Sequence, residues 1–162
     1  MSMRRGEKII LALIGVAVVA GVVKSLLHVE GKHDREIPFY STATRDEATT
    51  AMDIYRSEGC KSCHTLWTMQ DMLQFVPAPM LDGIGSLRTE DWLYTYLSSS
   101  DPQAILPSRL KMQYQMPSYA TLPESQRREL AHYLSSLKVK DWYLEQTKKA
   151  EYEKLTGLEY KN

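Results

Sequence analysis

The chain contains only two cysteines, and they stand three positions apart in the run from Cys60 to His64, CKSCH. The pattern C-x-x-C-H is the covalent attachment site of a c-type haem. Two thiols at this spacing can add across the two vinyl groups of a porphyrin, and the histidine that follows can present its imidazole to the iron. The motif therefore predicts one haem c, bound covalently through Cys60 and Cys63 and ligated by His64.

Three other interpretations of two closely spaced cysteines are weaker. A structural zinc site would need a second pair of ligands, and the chain has no further cysteine. A thioredoxin-like redox pair would need a βαβ context, which the sequence does not show. A structural disulfide would close only a two-residue loop and would stabilise the fold little. We therefore favour haem attachment.

Length and charge limit the class of protein. With 162 residues, the chain has room for one small domain with appendages. A formal net charge of +0 leaves no basic excess to neutralise phosphates, so we expect no nucleic-acid partner. Phenylalanine is rare, and a small domain built around a haem needs few large apolar residues because the porphyrin supplies much of its core.

The N-terminus combines basic residues with a long apolar run. Arg4, Arg5 and Lys8 precede a mostly apolar segment, Ile9 to Val29, which contains Lys24. About 20 such residues can cross a bilayer if the lysine ammonium reaches the interface. A cleaved secretory signal, with cleavage after residues 18–20 (VVA), is the alternative. We favour an anchor at residues 1–29, with its basic flank in the cytoplasm and the remainder exported.

The remainder of the chain divides into three parts. Residues 30–43 are polar and predict a linker; His33 within it and the neighbouring His28 are expected on the surface. Residues 44–137 contain the haem motif and three helical apolar patterns, at 45–57, 89–97 and 123–137. Thr44 and Thr89 are the expected N-caps of the first two helices. Residues 138–162 predict a charged helical extension that is either solvated or packed by an aromatic face on the domain or on a partner subunit.

The residues before the haem motif resemble the lead-in helix of class I c-type cytochromes. The segment from Ala51 to Cys60, AMDIYRSEGC, has the small residue, the aliphatic-aromatic pair and the Gly-Cys step of that family. The resemblance implies an all-α fold, the small cytochrome c fold, with three to four helices around one covalently attached haem. Here an N-terminal transmembrane helix and a C-terminal helical extension would be added. Ala51 would let its helix cross closely over the closing helix, with Tyr55 as the aromatic partner.

The resemblance also implies a partner for His64. The family has a Pro-x-Leu-x-Gly-x-Gly segment after the haem motif, matched here from Pro79 to Gly85, PMLDGIG. Its proline carbonyl accepts a hydrogen bond from the proximal imidazole, which assigns Pro79, with Pro77 as the alternative. The two glycines would let the backbone turn close to the ring.

The second iron ligand is assigned by a Met-Pro pair, which in the family lies on an extended loop before the last helix. Met116-Pro117 matches it, and proline stiffens the approach of the thioether. Met112 is the main competitor, whereas His132 is expected to be a surface or packed histidine. We expect the other nearby methionines to pack in the haem pocket: Met69, Met72 and Met80.

These assignments imply a one-electron carrier rather than an enzyme. With His64 and Met116 on the iron, no coordination position remains for a substrate, and Met/His ligation raises the potential. An anchor with one haem resembles the monohaem subunits of bacterial respiratory complexes. We therefore expect a single-pass protein of the bacterial cytoplasmic membrane, its haem domain on the periplasmic face, with redox proteins or complex subunits as partners. The alternative is a haem-based sensor or peroxidase-like enzyme, in which Met116 is displaceable.

Overall fold

This computed structural model describes residues 5–30, 36–67, 76 and 78–161. The chain divides into two compact units, Met1–Ile37 and Pro38–Asn162. His33, Met69, Met72 and Pro77 lie outside the described residues, as does the side chain of His28.

The N-terminal unit contains helix α1, Arg5–Glu30. Its segment Gly6–Ser25 is long and apolar enough to cross a membrane, and all of its side chains are exposed. An apolar helix of this length with exposed side chains is what a membrane anchor requires, since lipid would cover it. A secretory signal meets the same criterion of length and composition.

The second unit is mostly helical. Its helices are α2 (Arg45–Ser57), α3 (Glu90–Ser98), α4 (Pro102–Ile105), α5 (Glu124–Ser136) and α6 (Asp141–Thr156). Short 3₁₀ turns follow at Cys60–Ser62, Ile84–Ser86 and Met112–Tyr114. The helices predicted at 45–57, 89–97 and 123–137 are therefore confirmed as α2, α3 and α5, and the all-α class is confirmed with them.

Local chemistry explains where α2 and α3 begin. Thr44 and Glu47 form a capping box, in which the Thr44 hydroxyl accepts from the Glu47 amide and the Glu47 carboxylate accepts from the Thr44 amide at 2.7 Å. The Thr89 hydroxyl accepts from the Trp92 amide at 3.2 Å. Each cap satisfies amide groups that the first helical turn leaves without partners, so both predicted N-caps are confirmed.

The core lies where α5 packs against α2 and α3. Ala51 on α2 and Ala131 on α5 are both fully buried, and small side chains allow two helix backbones to approach closely. Tyr55 is also buried, one turn after Ala51. The helix that precedes the haem motif and the helix that closes the domain are thus held together by one apolar cluster.

A two-stranded antiparallel sheet was not predicted. Strand β1 (Phe39–Ser41) pairs with β2 (Leu137–Val139), with Phe39 opposite Val139 and Ser41 opposite Leu137. The sheet takes β1 from the predicted linker, residues 30–43, and brings it into the compact unit that starts at Pro38. A run of three residues is too short to show the alternation of apolar and polar residues that predicts a strand, and the strand that pairs with it lies far away in the sequence.

The C-terminal extension is helical, as predicted, and packs on the domain. Tyr143 of α6 meets Phe39 of β1 edge to face, with ring centroids 5.6 Å apart. Glu151 of α6 forms an ion pair with Arg88 at 3.1 Å. The helix ends at Gly157, whose φ of 71° is left-handed. Contact with the domain is therefore observed for this segment, and packing on a partner subunit stays a prediction.

His132 lies on the outer face of α5, between carboxylates of two neighbouring helices. Its Nδ1 is 3.0 Å from Glu90 Oε2 of α3, and its Nε2 is 3.6 Å from Glu47 Oε1 of α2. The side chain is 49% exposed, so the prediction of a surface histidine is confirmed. The hydrogen bond to Glu90 has the largest effect and raises the pKa of His132; burial opposes it, and the charges of Glu90 and Glu47 add to the rise.

We expect His132 to stabilise the folded chain more in mild acid than in mild alkali. A histidine whose folded-state pKa is raised contributes fully below its unfolded pKa of about 6.5, and loses that contribution as pH rises through the folded-state value. Because the site is half exposed, solvent screening limits the effect to a few tenths of a kcal/mol, on the order of 0.5. Denaturant unfolding of His132→Gln and wild type at about pH 5.5 and about pH 8.5 should give the larger difference at the lower pH. Equal differences at both pH values would contradict this.

Candidate haem site

A tight turn directly after α2 brings the three residues of the haem motif together. Gly59, with a left-handed φ of 72°, ends the helix, and the chain continues into the 3₁₀ turn that begins at Cys60. The carbonyl of Cys60 then accepts hydrogen bonds from the amides of Cys63 at 3.2 Å and His64 at 2.9 Å. As a result, both thiols and the imidazole line the same cavity, and the two cysteines are not joined in a disulfide.

Burial and one hydrogen bond fix the protonation of His64. Its Nδ1 lies 2.8 Å from the carbonyl oxygen of Pro79. A carbonyl can only accept, so Nδ1 carries the hydrogen and Nε2 keeps a lone pair. Burial lowers the pKa of His64 more than this hydrogen bond raises it, which keeps the ring neutral near pH 7. A neutral imidazole with Nε2 unprotonated is the form that binds a metal ion.

Two further hydrogen bonds hold the Pro79 carbonyl in place. The Leu81 amide donates to the carbonyl of Thr65 at 2.9 Å, and the Trp67 amide donates to Asp82 Oδ1 at 2.8 Å. Together they join the segment after His64 to the segment after Pro79. The position of the Pro79 carbonyl opposite His64 is thus set by the chain that follows it.

Asp82 is a residue of the site that no motif in the sequence identifies. Its carboxyl group is buried, and burial raises its pKa more than the amide hydrogen bonds lower it. Trp67, which it holds, has a positive φ of 51° and donates its indole hydrogen to Tyr133 Oη at 2.9 Å. A single aspartate in a loop gives no sequence signal for such a role, because surface loops are commonly acidic.

Tyrosines support the motif from two sides. Tyr55 Oη on α2 donates to the carbonyl of His64 at 2.8 Å, which fixes the backbone of the histidine. Tyr119 Oη lies 3.9 Å from Cys60 Sγ. Burial is the main cause of the raised pKa of the Cys60 thiol, with Tyr119 acting in the opposite direction.

The two candidate methionines differ in position. Met116 is partly buried and lines the cavity that also contains His64, and its carbonyl accepts from Gln103 Nε2 at 3.4 Å. Met112 is 86% exposed and does not line this cavity.

Met80 is 51% exposed and lies outside the lining as well, so the expectation that it packs in the pocket is wrong. It directly follows Pro79, whose carbonyl is hydrogen-bonded to His64, and it is itself half exposed to solvent.

The cavity as a whole suits a haem. It opens to solvent on one side, and its lining is mostly apolar and aromatic. Such a lining matches a porphyrin ring, two thiols match its vinyl groups, and a neutral Nε2 matches its iron. Three cationic side chains and one carboxylate are also in the wall: Arg88, Arg109, Lys154 and Glu151. Cations match the carboxylate groups that a haem carries.

Comparison with known protein families identifies this chain's family pattern. A family model described as Cytochrome c matches residues 48–138, which is more than half of the chain. The matched segment includes Cys60, Cys63, His64, Pro79 and Met116. Searches of curated proteins and of solved structures found no match.

Proposed function

The chain belongs to the cytochrome c family, a family of haem-based electron carriers, and on that premise we propose that it is a membrane-anchored monohaem carrier of a bacterial respiratory chain. In this proposal α1 holds the protein in the cytoplasmic membrane as a single-pass anchor, and the haem domain works on the periplasmic face. Its partners are other redox proteins, as subunits of one oxidoreductase complex. The apolar segment Gly6–Ser25 and the basic residues before it support this orientation.

Five residues would hold the cofactor. Cys60 and Cys63 would form the thioether bonds, His64 Nε2 and the Met116 sulfur would bind the iron, and the Pro79 carbonyl would hold His64. When bound, haem c supplies an iron that takes up and releases one electron.

The observation that carries the proposal is the hydrogen bond between His64 Nδ1 and the Pro79 carbonyl at 2.8 Å. It places the hydrogen of the neutral imidazole on Nδ1 and leaves the Nε2 lone pair for an iron, and Met116 lines the same cavity. With both residues on the iron, no position is left for a substrate, which favours electron transfer over catalysis. The mostly apolar wall would leave little solvent to reorganise when the charge of the site changes.

The visible spectrum of the oxidised protein tests the function. Ligation by His64 and Met116 predicts a low-spin spectrum with a methionine-to-iron charge-transfer band. A high-spin spectrum would instead favour the alternative, a haem-based sensor or peroxidase-like enzyme.

The membrane assignment has a separate test. A retained anchor predicts that the haem protein stays with membranes after alkaline washing and is released by detergent, together with its complex partners. Protease added to intact spheroplasts should digest the haem domain if it is periplasmic. Release of the haem protein in soluble form without detergent would contradict the anchor.

A further inference from the structure

One wall of the cavity comes from outside the segment that the family model matches. That segment ends at residue 138, whereas α6 begins at Asp141 and contributes Glu151, Lys154 and Leu155 to the lining. The haem site of this chain is thus closed by a helix that the family pattern does not describe. Its polar side chains can change the properties of the site in a way particular to this chain.

Glu151 is held at the cavity by Arg88. Its Oε1 is 3.1 Å from Arg88 Nη2, and the two side chains are only 16% and 23% exposed. The Arg88 guanidinium lies 4.9 Å from the ring centroid of Trp92, which lines the cavity, and donates from Nη1 to the carbonyl of Leu87 at 2.9 Å. Burial raises the pKa of Glu151 more than Arg88 lowers it. The pair is therefore removed from most of the solvent, so water and salt screen its charges weakly.

The charges around Glu151 are otherwise positive. Arg88 faces it from the loop before α3, Lys154 lines the cavity from α6 itself, and Arg109 lines it from the segment after α4. The Arg109 guanidinium is fixed to the end of α6, since its Nε donates to the carbonyl of Lys154 at 3.3 Å. Among the cavity-lining residues that the structure describes, Glu151 is the one carboxylate.

We propose that Glu151 of α6 lowers the reduction potential of the haem by placing a partly buried negative charge in the cavity wall. The inference rests on the proposed function, because it concerns the haem of the same site. One-electron reduction makes the site one unit more negative, and a fixed carboxylate nearby disfavours that change. The neighbouring cations act in the opposite direction, and the ion pair with Arg88 keeps the carboxylate in position.

The test is the midpoint potential of the full-length, haem-loaded protein, measured by spectroelectrochemical titration. Glu151→Gln removes the charge and preserves the shape of the side chain. We expect the equilibrium constant for reduction to rise about threefold to tenfold, which is about 30 to 60 mV for one electron. The matched control is Glu145→Gln on the same helix, where the side chain is 67% exposed and paired with Lys148; its potential should equal that of wild type.

A second variant keeps the proposal testable if Glu151→Gln loads haem poorly. Arg88→Gln removes the opposite charge from the same pair, so its potential should fall below that of wild type. The proposal is overturned if Glu151→Gln has the potential of Glu145→Gln with an intact low-spin spectrum, or if Arg88→Gln leaves the potential unchanged. Failure of the proposed function would look different, because wild type itself would then lack the low-spin haem spectrum.

Discussion

Replacing Met116 by alanine is expected to abolish the methionine-to-iron charge-transfer band and to lower the midpoint potential. Met116 is the methionine that lines the cavity together with His64. A thioether favours the reduced iron, so its loss should move the potential down by on the order of 0.1 to 0.3 V, within the ~0.8 V range that axial ligands cover. The measurements are the visible spectrum of the oxidised protein and a redox titration.

The matched control for this experiment is Met112→Ala. Met112 lies shortly before Met116 in the sequence, in the 3₁₀ turn Met112–Tyr114, and is 86% exposed. Its replacement should leave both the charge-transfer band and the midpoint potential unchanged from those of wild type. Loss of the band in Met112→Ala together with its retention in Met116→Ala would reverse the assignment of the ligand.

The parts of the site that could be predicted are those encoded by short spacings. Cys60, Cys63 and His64 form one continuous motif, and a single tight turn is enough to place them together. The helix caps at Thr44 and Thr89 are equally local, because each cap bonds an amide three residues further on. Pro79 could be assigned only by resemblance, and its carbonyl does lie at hydrogen-bond distance from His64.

The parts that could not be predicted depend on contacts between distant residues. Asp82 is important because the Trp67 amide lies opposite it, and no spacing rule connects the two. The charged pattern of α6 is that of a solvated helix, yet Glu151 is largely buried because Arg88 faces it across the cavity wall. Ion pairs between distant residues, like the pairing of distant strands, depend on how the whole chain packs rather than on local sequence propensity.

Gly85 shows that a correct position can be assigned for an incomplete reason. The sequence suggested that this glycine lets the backbone turn close to the haem. In the structure a Cβ atom at this position would collide with the carbonyl of Ser135 and lie 2.8 Å from the carbonyl oxygen of Leu137. Lys138 Nζ donates to the Gly85 carbonyl at 2.6 Å. The glycine therefore serves the close approach of this loop to the end of α5 and the start of β2.

Gly85→Ala is accordingly expected to be the most destabilising of the glycine-to-alanine replacements in residues 44–137. The atoms in the way belong to backbone at the junction of α5 and β2, which cannot rotate aside as a side chain could. Overpacking against fixed atoms should reduce the free energy of unfolding by about 3 kcal/mol or more. Because the neighbouring Ile84 lines the cavity, haem loading should fall as well. Denaturant unfolding and the haem-to-protein absorbance ratio measure the two effects.

Gly59→Ala separates this collision from the general effect of replacing a glycine. Gly59 has a left-handed φ of 72°, and the nearest atom to an added Cβ is Ser62 Oγ at 4.0 Å. Its replacement should reduce stability by only about 1 to 2 kcal/mol, the strain of a left-handed residue with a side chain. A Gly85→Ala protein no less stable than Gly59→Ala would mean that the loop before α3 can move away from α5. In that case the segment from Pro79 to Gly85 would hold His64 less firmly than the hydrogen bonds around Pro79 indicate.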